Sequence, residues 1–258
     1  MNAPSEQFHR SAYIELLKRA ITNFLYLGGD AEFDSFRCVN HYDLDRGCWK
    51  IDSTSRPTTL LRKGQLDLIE RAIITVQEHR VPGNFIEAGI WRGGAIILMR
   101  ALIDAHGMGD RRIFAADSFA GIPINTRTAN DPVDQWIDRW AASLEEVQAN
   151  IARFNLLDDK VEFVVGFFED SLPRLAEERF AVIRLDSDSY DSVETSLVHL
   201  YPLVSKTGVV IIDDWHLPGC RAAVLDYRAK HGINDPIMEY DANAYWVKQQ
   251  DYGVPSIA

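Results

Sequence analysis

An acidic cluster and an acidic pair stand where apolar runs stop. The stretch FAVIRLDSDSYDS (residues 180 to 192) begins as a buried strand and releases Asp186, Asp188 and Asp191 within six residues. A second run, GVVIIDD (208 to 214), ends in Asp213 and Asp214. If the two strands are neighbours, their ends lie about 5 Å apart. Crowded carboxylates repel one another, so one protonates or a cation joins them. All-oxygen ligation favours Mg²⁺, Ca²⁺ or Mn²⁺ over zinc. A metal held by Asp186, Asp213 and Asp214 would act as a Lewis acid on a substrate hydroxyl. Asp186 is the candidate proton acceptor.

The first parallel strand carries a different signal. In FIEAGIWRGGAI, Glu87 precedes Gly89 and Gly93. This position on an open α/β sheet binds nucleotides. The glycine spacing is not the dinucleotide fingerprint, and a carboxylate there repels a pyrophosphate. It suits a ligand with an amino group and a sulfonium, which is S-adenosylmethionine. Asp117, 30 residues on at the end of the second strand, is placed to accept hydrogen bonds from ribose hydroxyls. Gly166 permits close approach after the third strand, where Phe167 or Phe168 lines an adenine face or joins the core.

Other residues keep two readings. Asp191 or Ser189 caps the following helix. Asp188 is open between capping, support of a neighbour and contact in the site. His216 is an alternate base or substrate contact, or has a structural or solvent role. Trp136 and Trp140 stack on a sugar or anchor a lid. Arg127 and Arg139 meet phosphates or are ordinary surface charges.

The elements that must position these groups alternate. Strands are expected at 84–89, 112–118, 161–166, 180–186 and 208–214. Helices are expected at 11–27, at 61–80 and near 94–106, 143–154, 170–177, 191–202 and 219–230. The helix at 11–27 is ended by Gly28 and Gly29. Alternation of strand and helix implies a parallel sheet covered on both sides. PIMEYD and AYWVKQ are too close for a crossover and form a terminal antiparallel hairpin. Residues 30–58 carry no strong pattern, and 121–142 is a long insertion suited to a lid.

Composition bounds the rest. The chain has 258 residues and a formal net charge of −11, which argues against general binding to nucleic acid or membrane surfaces. Cys38, Cys48 and Cys220 are few and widely spaced, consistent with a reducing compartment. With no signal core and no membrane-length apolar run, the expected location is cytoplasmic.

The extended wording of FIEAGIWRGGA, AADSFAGIP, FNLLDDKVEFVVGFFEDSLP, IRLDSDSYDS, VVIIDDWHLPGCRAAVLDYRAKHGI and AYWVK resembles the macrocin O-methyltransferase family, in order, over roughly residues 59–248. Relatives in that family include mycinamicin and novobiocin sugar methyltransferases. The resemblance implies a class I S-adenosylmethionine-dependent methyltransferase fold (α/β, Rossmann-like, seven strands, mostly parallel). A domain spanning 59–258 would follow an N-terminal helical extension, 1–58. The resemblance implies Mg²⁺ on Asp186, Asp213 and Asp214, with Asp186 as base, and methylation of a deoxysugar hydroxyl in natural-product biosynthesis. The cofactor site it implies comprises Thr59, Glu87, Ala88, Gly89, Trp91, Gly93, Asp117, Ser118, Gly166, Phe167 and Phe168. Trp136, Trp140, Trp215 and His216 are the candidate substrate contacts, and a homodimer or homotetramer is expected. The insertion is shorter than in macrolide-acting relatives, which leaves the acceptor open between a glycosylated product and a nucleotide-activated sugar. A different class remains: Asp186-Ser187-Asp188 matches the metal motif of nucleotide-sugar glycosyltransferases. It does not account for Glu87, Gly89, Gly93 and Asp117. A short-chain dehydrogenase would need a tyrosine with a lysine four residues on, and the chain has none. A non-catalytic protein would not need three strand-end carboxylates.

Overall fold

The computed structural model describes residues 5–26, 32–35, 42–43, 48–49, 56–122 and 140–250. In chain order the elements are α1 (Glu6–Ile21), a short ribbon of β1 (Tyr42–Asp43) and β2 (Cys48–Trp49), α2 (Lys63–Glu78), β3 (Asn84–Ala88), α3 (Gly94–Ala105), β4 (Ile113–Asp117), α4 (Leu144–Arg153), β5 (Val161–Val165), α5 (Phe168–Ser171), β6 (Phe180–Leu185), α6 (Tyr190–Leu200), β7 (Val204–Ile212), α7 (Pro218–Lys230), β8 (Met238–Tyr240) and β9 (Asn243–Val247). The main sheet has seven strands in the order β5-β4-β3-β6-β7-β9-β8. β3 to β7 pair in parallel, and β9 joins antiparallel to β7 and β8. Sequential order reverses between β3 and β6, and that switch point is where open α/β sheets hold ligands.

Side-chain alternation along the strands builds two cores. Phe85, Val182 and Ile211 face α2 and α3, whereas Ile86, Ile183 and Ile212 face α6 and α7. Ile14, Leu17 and Ile21 of α1 join the first of these layers. Each strand therefore carries one set of side chains toward α2 and the other toward α6 up to its last residue. This rule decides where the strand-end carboxylates point.

Most expected elements stand within a residue or two of their expected bounds, and both ends of α1, the end of α5 and the start of β7 depart further. α1 stops at Ile21, six residues short of the expected end. Thr22 turns its Oγ1 to the Lys18 carbonyl at 2.9 Å, and Asn23 takes a left-handed φ of 64°. Phe24 then packs on Phe33 in a short 3-10 turn, with ring centroids 4.9 Å apart. Local hydrogen bonding by Thr22 and aromatic packing of Phe24 overrode a hydrophobic spacing that continued past them. Gly28, Gly29, Trp136, Arg127 and Arg139 lie outside the described residues, as do 123–139 of the expected lid. Among the described residues, no helix is long and apolar enough to cross a membrane.

Candidate active site

A cleft of about 410 Å³ opens at the carboxyl ends of the parallel strands, within the usual range for a small-molecule site. One side is the turn after β3. Gly89 has φ +87°, and a Cβ placed there would lie 1.6 Å from the Asp186 carbonyl oxygen. Glycine is therefore required twice over, by backbone conformation and by space. Gly89→Ala should lower the thermal midpoint by about 6–12 °C, on the order of 3 kcal/mol for a chain of this size. A midpoint close to the wild type's in thermal unfolding would mean the two strand ends separate more easily than their packing implies.

The turn is tied to β4 by Asp117. Its Oδ2 accepts from the backbone N–H of Ile90 at 2.9 Å and Trp91 at 3.3 Å, and Oδ1 accepts from Phe119 at 2.8 Å. Burial pushes the Asp117 carboxyl up, and these backbone donors oppose the shift. Ser118 closes the next turn through Oγ, which donates to the Gly121 carbonyl at 2.8 Å. Thr59 is buried in the cleft wall, and its Oγ1 accepts from Leu61 N at 3.2 Å. Phe167 and Phe168 line the far wall, with Phe167 exposed and Phe168 packed against the α6-side core. Trp91 and Trp140 meet edge to face across the mouth, 5.8 Å between centroids. His216 lies at the exposed rim.

Four expected contacts do not line the cleft. Ala88 is strand core, and its carbonyl accepts from Asp186 N at 2.9 Å. Gly93 sets the left-handed entry to α3 and packs toward Val147. Gly166 turns the chain after β5, its N–H bonding the Asp117 carbonyl at 3.0 Å. Trp215 is buried, with Nε1 donating to Glu239 at 2.8 Å.

The floor of the cleft is a charge network that the sequence reading did not identify. Arg184, fully buried in β6, forks to three carboxylates. Its Nη1 donates to Glu87 Oε1 and to Asp186 Oδ2 (2.9 Å for the latter), and Nη2 lies 2.6 Å from Asp213 Oδ1. Gln65 Nε2 reaches the same Asp213 oxygen at 3.0 Å and Asn243 Oδ1 at 2.8 Å. The available signal was the lone cation in an otherwise apolar central strand, since such a charge must be paired. Burial raises the Glu87 carboxyl to about 8 against the pull of Arg184. Its Oε2 is buried with no hydrogen-bond partner among the described residues. An orphaned carboxylate oxygen at a cleft wall fits a cationic N–H donor of a bound cofactor.

Asp186, Asp188 and Asp214 come together, with one carboxylate oxygen from each within 4.8 Å of the others. Asp213, expected in that set, turns its Oδ1 to Arg184 and Gln65 instead. Asp213 continues the α2-facing set of β7 and Asp214 the opposite one, while Asp186, on the α2-facing side like Asp213, meets both Arg184 and the acidic set. Asp188 enters because the chain turns back after β6, with φ +58° and its N–H 3.3 Å from Asp214 Oδ2. Asp191 is buried in the first turn of α6, which Ser189 caps by accepting from Ser192 N. Burial, then repulsion from neighbouring carboxylates, raises Asp188 to about 8 and Asp214 well above its ordinary value. Three hard oxygen donors gathered within 4.8 Å, two of them held toward protonation first by burial and then by neighbouring charge, fit a divalent cation.

The comparisons agree with this architecture. A family model described as Macrocin-O-methyltransferase (TylF) matches residues 37–249. The chain is similar to 8-demethyl-8-(2,3-dimethoxy-alpha-L-rhamnosyl)-tetracenomycin-C 4'-O-methyltransferase of Streptomyces olivaceus, 40% identical over 244 residues and 92% of each chain. It is similar to mycinamicin III 3''-O-methyltransferase of Micromonospora griseorubida, 36% identical over 91% of this chain and 95% of the relative. The solved structure of the O-methyltransferase NovP superposes with a TM-score of 0.81 at 34% identity, covering 93% of this chain and 100% of that one. A seven-stranded sheet with a terminal antiparallel hairpin, bearing this sequence signature over most of its length, makes the chain a member of the macrocin O-methyltransferase family, a class I S-adenosylmethionine-dependent O-methyltransferase.

Proposed function

We propose that the chain methylates a hydroxyl of a deoxysugar attached to a natural product of the antibiotic type. One observation carries the reading. A single cleft has Asp117 and the unpartnered Oε2 of Glu87 on one side and the Asp186, Asp188 and Asp214 cluster on the other. The similar enzymes, whose names give a rhamnosyl-bearing tetracenomycin C and mycinamicin III as the molecules methylated, support a glycosylated acceptor over a nucleotide-activated sugar.

S-adenosylmethionine supplies a methyl on sulfonium, an electrophile that needs no further activation. Glu87 Oε2 would hold the cofactor's ammonium, and Asp117 its ribose hydroxyls. Phe167 and Phe168, which line the cleft, would border the adenine. Asp186, Asp188 and Asp214 would hold a divalent cation, Mg²⁺ by preference, which would supply Lewis acidity to the acceptor hydroxyl. Asp213 stands beside this set and keeps its place through Arg184 and Gln65. Asp186 would take the proton of the acceptor hydroxyl, whose oxygen replaces sulfur on the methyl carbon. Trp91 and Trp140 narrow the mouth and limit entry of water.

Calorimetric titration of S-adenosylmethionine, with Mg²⁺ and with chelator, tests the cofactor side. Product analysis with a rhamnosylated aglycone and with a nucleotide rhamnose tests the acceptor. One-to-one cofactor binding with methylation of the glycosylated acceptor is expected. Methylation of the nucleotide sugar alone would move the enzyme to a step before glycosyl transfer. Absence of cofactor binding by the folded protein would overturn the reading.

A further inference from the structure

Arg184 is a cation in the middle of a sheet. All six residues of its strand, FAVIRL, are buried. Register places it directly beside Glu87 of β3 and Ile211 of β7. Asp186 and Asp213 follow two residues after Arg184 and Ile211, so alternation sets all four groups on the α2-facing side. Three strands thus deliver three carboxylates to one guanidinium: Glu87 and Asp186 to Nη1, Asp213 to Nη2. Gln65, reaching down from α2, fixes the Asp213 oxygen from the other side.

Stability alone gives little reason for this arrangement. Apolar replacement of a buried ion network is often neutral or stabilising. What the planar fork supplies is direction. A guanidinium presents donors at fixed angles, and Glu87 and Asp186 both take directed hydrogen bonds from Nη1, while Asp213 pairs with Nη2 by charge. A lysine at the same place would keep the charge as a single point and lose the fork.

We propose that Arg184 is a positioning residue of methyl transfer, holding the Asp186 carboxylate in fixed relation to Glu87 so that proton acceptor and cofactor anchor share one geometry. The inference rests on the methyltransferase reading and on the part of Asp186 in it. Arg184 itself meets the carboxylates and not the reacting atoms.

The test uses the full chain, Arg184→Lys and the charge-balanced pair Asp213→Asn with Arg184→Gln. Three quantities are measured: S-adenosylhomocysteine affinity by calorimetry, folded fraction by circular dichroism, and kcat and KM per folded molecule. The expected result for Arg184→Lys is a folded protein that binds S-adenosylhomocysteine within a few-fold of wild type. Its kcat falls about 100-fold, the scale of an ångström-level misplacement, with acceptor KM little changed. The charge-balanced pair is expected to show the same split. A kcat per folded molecule like the wild type's in either variant would overturn the inference, leaving Arg184 a structural ion. So would failure of both variants to fold. A wild-type protein that binds no S-adenosylhomocysteine would instead sink the underlying reading before any substitution is compared.

Discussion

Asp186→Asn should lower kcat by about 10²–10⁴-fold, the range a positioned general base contributes, while cofactor affinity stays within a few-fold. The two expectations come from different contacts. Asn keeps the size of Asp and keeps an oxygen for the Arg184 Nη1 donor, which lies 2.9 Å from Oδ2. The floor of the cleft and the Glu87 anchor therefore survive. The capacity to take a proton does not, because a neutral amide is a very weak base, and one anionic oxygen leaves the Asp186, Asp188 and Asp214 set. A single-turnover measurement with saturating cofactor separates the two. Full activity in this variant would remove Asp186 from the chemistry and shift attention to Asp188 or His216 at the same cleft. A large loss of cofactor binding would mean that Asp186 acts mainly through Arg184 and Glu87.

The fold was legible because its signals are local. An apolar run of five or six residues followed by a glycine or a carboxylate marks each parallel strand, and the helices between them carry their own spacing. β3, β4, β5 and β6 all begin and end within a residue or two of the expected bounds. The hairpin of β8 and β9 followed from the short distance between two strand-like runs. Three features were less legible for a common reason. α1 ends early through a side-chain hydrogen bond of Thr22 and a ring contact of Phe24, neither of which interrupts a hydrophobic period. Asp188 joins Asp186 and Asp214 through a left-handed backbone turn, and Asp213 turns its Oδ1 to Arg184 and Gln65. Arg184 meets partners 97 residues before it and 29 residues after it, which only strand order and register bring together. Residue types at strand ends announced that chemistry was present. Which carboxylate faces which neighbour depends on side-chain alternation at the final residue, and a one-residue uncertainty in a strand end reverses it.

Asp188→Asn should make the metal-free protein more stable than wild type, by a margin that grows with pH. The Asp188 carboxyl is raised to about 8, first by burial and then by the charge of Asp186 and Asp213. In the unfolded chain it titrates near 4. Between these values the unfolded state releases a proton that the folded state retains, so this group lowers stability as pH rises from about 4 to about 8. The limiting slope for one such group is about 1.4 kcal/mol per pH unit, or roughly 3–5 °C in the melting midpoint for a chain of this size. Asn carries no charge and tolerates the left-handed backbone at φ +58°. In chelator, the two proteins should melt together near pH 4.5 and diverge toward pH 8.5, with the variant higher. Mg²⁺ should reverse the order. A bound cation stabilises the folded state by mass action, and the intact acidic set gives it one more anionic ligand than the variant has. The added stability from Mg²⁺ should be larger at pH 8.5 than at pH 5.5, since protons compete for the same oxygens. A difference between the two proteins that does not change with pH would show that Asp188 is not held against its charge. Equal Mg²⁺ stabilisation in both would take Asp188 out of the cation set and return that place to Asp213. The crowding that weakens the metal-free fold is then the same crowding that prepares a cation site, and a natural chain keeps the less stable residue where its chemistry requires the charge.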